Sequence, residues 1–69
     1  MKSKLELAKD PNTTSEELAV LAKDSCEAVR KAVAENPKTP IVALIEMSKD
    51  YDGTVREIVE KRFERSQML

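Results

Sequence analysis

The 69-residue chain has no histidine and no tryptophan, and only one glycine, one cysteine, one phenylalanine and one tyrosine. Each shortage removes a class of chemistry. Without histidine there is no imidazole base, and Cys26 alone supplies neither an internal disulfide nor a four-ligand zinc site. A single glycine, Gly53, excludes the glycine-rich loops that cradle phosphates. With Tyr51 and Phe63 as the only aromatics, the core must come from Leu, Val, Ile and Ala. Long hydrophobic runs are missing too. The longest uncharged stretch, Thr39–Ile45, is far too short to span a bilayer. The N-terminal MKSKLELAKD has no apolar signal-peptide core before its charges return, so the expected location is cytoplasmic. No catalytic, cofactor-binding or metal-binding constellation emerges, and the chain is expected not to be an enzyme.

What is present is charge and periodicity. Twelve basic and thirteen acidic residues leave a net charge of −1, which draws the chain towards neither nucleic acid nor an anionic membrane. Hydrophobic residues make up 41%, too many and too regularly spaced for a disordered chain. The length allows one domain, which buries only about 60% of its unfolded surface, so its core is small.

Helix signals recur along the chain. Residues 3–9 place Leu5 and Leu7 in one or two helical turns, and Asp10-Pro11-Asn12-Thr13 is a turn because Pro11 disfavours helix before it. Thr14 and Glu17 have capping-box spacing, with the hydroxyl taking the Glu17 N–H and the carboxylate reaching back. The helix they start is expected over 15–23, with Leu18, Leu21 and Ala22 on its apolar side. Asp24 or Ser25 caps a third helix, whose stripe is Val29, Ala32 and Val33, with Glu27, Arg30, Lys31 and Glu35 outward or at the edges. Asn36-Pro37 ends it. Thr39 caps a fourth, with Pro40 at its first position and Ile41, Leu44, Ile45 and Ser48 as its stripe. Asp52 caps a fifth, which carries Val55, Ile58, Val59 and Phe63 to about Arg65 or Ser66. Met68 and Leu69 either fold back on the end or fray.

Sliding the chain by 26 residues aligns Ala8 with Ala34, Pro11 with Pro37, Thr13 with Thr39, Leu18 with Leu44 and Lys23 with Lys49. It also aligns Asp24 with Asp50, Val29 with Val55, Arg30 with Arg56 and Val33 with Val59. The matches fall on caps, turns and core positions, as a repeated helix pair requires, and such a period suits a solenoid. The units are about 5–10 (partial), 11–36 and 37–62, with 63–69 as an extension. This predicts an all-α fold of about five short helices in two and a half units.

The runs VRKAVAENPKTP (29–40), LAKDPNTT (7–14) and LAVLAKD (18–24) resemble the variant leucine-rich repeat, and the Asp-x-x-x-x-Val-Arg pattern is similar in style to HEAT-like repeats. The resemblance covers residues 5–59. It implies a right-handed superhelix of short helices and a scaffold that binds other proteins. One member of that family holds a cysteine-ligated iron–sulfur cluster, which a chain with a single cysteine lacks the ligands to hold.

Three residues are candidates for partner binding: Arg30 and Arg56, at equivalent positions six residues after Asp24 and Asp50, and Tyr51, placed in a turn. A row of arginines suits a carboxylate or phosphate. The simpler reading, and the preferred one, is an Asp–Arg ladder in which each arginine pairs with a carboxylate or backbone carbonyl of its neighbour. Cys26 reads as an unreactive surface thiol, since no histidine or basic neighbour activates it. The expected function is protein–protein interaction, as a small adaptor, regulator or inhibitor, with self-association favoured by the small core. The alternative is a helix-turn-helix DNA-binding regulator, with 18–33 as its two helices. Against it, Glu27 and Glu35 offset Arg30 and Lys31, and the turn lacks a glycine.

Overall fold

The computed structural model describes residues 2–67, with side chains to Glu64. It is all-α: helices α1 (Lys4–Lys9), α2 (Ser15–Leu21), α3 (Glu27–Glu35), α4 (Ile41–Met47) and α5 (Gly53–Gln67) follow one another, and the described residues form no strand. Met68 and Leu69 lie outside the described residues.

α1, α2 and α5 start where a side chain accepts from an early N–H group, whereas α3 and α4 start without a side-chain cap. α1 carries a full capping box: Ser3 accepts from the Glu6 N–H at 3.2 Å while Glu6 accepts from the Ser3 N–H at 3.1 Å. At α2, Thr14 accepts from the Glu17 N–H, but its hydroxyl also donates to the Glu17 carboxylate at 3.0 Å, so that carboxylate does not reach back to the backbone. α2 ends at Leu21 rather than Lys23, because the N–H groups of Lys23 and Asp24 bond to carbonyls three residues back and tighten the last turn. Neither Asp24 nor Ser25 caps α3. Cys26 is its N-cap, without a side-chain bond, and Asp24 instead accepts from the Cys26 N–H at 2.9 Å, bending the chain one step before the helix. Pro40, not Thr39, is the N-cap of α4. The buried Thr39 hydroxyl is spent on the Val33 carbonyl at 2.6 Å, which also accepts from the Asn36 N–H at 3.1 Å. Asp52 does cap α5, accepting from the Thr54 N–H at 2.8 Å.

α1, α3 and α5 pack side by side in that order, α2 lies against α1 and α3, and α4 lies against α5. Leu18, Val33, Val55 and Val59 are fully enclosed between them, and Ala8 and Ala34 are equally buried. The apolar side of α4 differs from the expected one. Ala43, Leu44 and Met47 face the core, whereas Ile41, Val42 and Ile45 are 66, 69 and 49% exposed. The run Ile41–Ile45 is apolar throughout, so periodicity alone cannot choose a face. Packing against α5 selects the side of Leu44 and Met47, which stand where Leu18 and Leu21 stand on α2.

Candidate functional site

Two of the three candidate residues, Arg30 and Arg56, bond to one aspartate, and the third, Tyr51, lies against Arg30. Arg30, expected at an edge of α3, is buried: its side chain is 6% exposed and that of its partner Asp50 is 7% exposed. Its Nε donates to Asp50 Oδ2 at 2.8 Å, and its Nη1 donates to the Asp24 and Ser25 carbonyls at 2.8 and 3.0 Å. The exposed Tyr51 ring lies 5.1 Å from the Arg30 guanidinium carbon, a cation–π distance. Arg56 is exposed and donates through Nη1 to the Asp50 carbonyl at 2.6 Å. Burial draws the Arg30 pKa down, but the bond to Asp50 and its charge outweigh that and raise it. With α1 and α5 on either side of α3, Arg30 is a joint within the fold.

That joint is one rung of a pattern that returns after 26 residues. Arg30 reaches the Asp24 carbonyl as Arg56 reaches that of Asp50. Lys4 pairs with the Asp24 carboxylate at 3.0 Å as Arg30 pairs with Asp50. The Thr13 hydroxyl bonds the Leu7 carbonyl as Thr39 bonds Val33, both at 2.6 Å. Asn36 Nδ2 donates to the carbonyls of Ala8 and Asp10, and Arg62 Nη1 donates to those of Ala34 and Asn36. Residue identity misses Lys4 and Arg62, which differ from Arg30 and Asn36. The hydrogen-bonding positions match even though the side chains do not.

The carboxylates that hold the turns are shifted. The Asp24 carboxyl is held below the usual range by the Cys26 N–H and then by Lys4. Asp10 is held low by Lys2 and then by the Asn12 N–H. Glu27 lies beside Asp52: a hydrogen bond between them and their like charges push Glu27 up, and the same bond holds Asp52 low. Asp10, Asp24 and Asp52 therefore add stability that is present above the unfolded aspartate pKa of about 4 and is lost as pH falls through their lower folded values. Glu27 acts in the opposite sense, losing its contribution as pH rises. Three groups against one predict that the melting temperature, followed by circular dichroism, drops between pH 6 and pH 3 and that Asp24→Asn reduces the drop. A pH-independent melt would contradict this.

Two surfaces remain. On α4, Ile41, Val42 and Ile45 form an exposed apolar face, whereas α2 carries Ser15, Glu16 and Ala19 at the corresponding positions. Along α1, α3 and α5 runs a groove made of two adjoining hollows of about 530 and 210 Å³. The larger is lined by Glu35, Pro37, Ile58, Lys61 and Arg62, the smaller by Lys9, Ala32, Glu35, Asn36 and Pro37. Cys26 is exposed, no group of metal-ligating side chains occurs among the described residues, and no helix among them is long and apolar enough to cross a membrane. Comparison of the chain with protein-family models, with curated proteins and with solved structures finds no match.

Proposed function

We propose that the chain is a non-catalytic helical-repeat module that binds another protein, with its five helices as two and a half units of the kind the variant leucine-rich repeat resemblance implies. The single observation that carries this reading is the α4 face. Three branched aliphatic side chains stand in solvent there, on positions that α2 fills with small or polar residues. They add little to the core, and an apolar cluster that the fold does not bury favours a partner surface. The hydrogen bonds that return every 26 residues support the repeat reading, because they keep adjacent units in one register. The helix-turn-helix alternative has no observation in its favour, since the guanidinium of Arg30 is already bonded within the fold.

A photo-crosslinking residue at Val42, introduced in the native host, tests the reading. It is expected to trap a discrete partner, and the Ile41→Ser/Ile45→Ser double variant is expected to lose that adduct. Its melting temperature should stay within a few degrees of the parent's, because exposed positions contribute little to stability. Sedimentation at micromolar concentration distinguishes a second copy from a different protein. An adduct that survives the double substitution, or none at all, would overturn the assignment of this face.

A further inference from the structure

We draw no further inference here: the strongest candidate, the groove along α1, α3 and α5, sets Glu35 among Lys9, Lys61 and an Arg62 already bonded to the Ala34 and Asn36 carbonyls, so its charges select no ligand and nothing in the structure shows what covers it.

Discussion

Replacing Arg30 with alanine is expected to unfold most of the chain at temperatures where the parent is folded. The guanidinium satisfies the Asp50 carboxylate and the carbonyls of Asp24 and Ser25 at once. Removing it leaves a 7%-exposed carboxylate without its cation. Breaking one side of such a pair costs roughly 3–5 kcal/mol, because the remaining charge stays desolvated. A chain of this length has only about 3–10 kcal/mol of total stability. Lysine at position 30 keeps the charge but not the planar fork, so Arg30→Lys should recover only part of the loss. Arg56→Ala removes one bond from an exposed side chain and is expected to cost about 1 kcal/mol or less. Urea midpoints for the three variants check this order. An Arg30→Ala midpoint close to the parent's would show that the pair does not hold the joint.

The second large effect is expected at Asn36, and its sign should depend on pH. Asn36 is 3% exposed. Its amide donates to the Ala8 and Asp10 carbonyls at 2.8 and 3.1 Å, and its oxygen accepts from the Lys38 N–H at 2.9 Å. It ties the end of α1 to the end of α3 and shapes the turn into α4. Asn36→Ala strands these groups and is expected to cost about 2–3 kcal/mol. Asn36→Asp is nearly isosteric but sets an acceptor against two carbonyl oxygens. Burial and those oxygens raise the folded pKa of the new carboxyl, so its neutral form is favoured and stability is lost as pH rises through that value. Asn36→Asp should therefore approach the parent below about pH 4 and diverge from it near neutrality. Melting temperatures measured across that range decide the point, and a parallel pH dependence of the two proteins would refute it. Arg62, which bonds the matching carbonyls one unit later, should tolerate asparagine less well than the register suggests. Asparagine lacks the length to reach both carbonyls from a helix that does not turn there.

The helices were legible because local rules govern them. Pro11, Pro37 and Pro40, the Ser, Thr and Asp residues at helix starts, and the apolar spacing of Leu18/Leu21 and Val29/Val33 act over one or two turns. The caps were legible in place at Thr14 and Asp52 but not at α3 and α4, where Cys26 and Pro40 stand as N-caps. Thr39 and Asp24 have more than one acceptor or donor within reach, and which one each takes depends on the preceding helix. The ladder was foreseen as Asp24/Arg30 and Asp50/Arg56. Its strongest contact, Arg30 to Asp50, joins residues 20 positions apart. The α4 face was misjudged because five consecutive apolar residues carry no periodic signal.

By itself the sequence determined the all-α class, the number of helices, their turns and the 26-residue register, since each follows from short-range backbone chemistry. Only the tertiary structure decided which charges are buried and which aliphatics are not. Arg30 passes from the edge of a helix to the inside of a joint because α1 and α5 close on either side of α3. Ile41 and Ile45 pass from an expected core to open surface because α4 turns Leu44 and Met47 to α5. Burial belongs to pairs of elements, and no single element's pattern contains it.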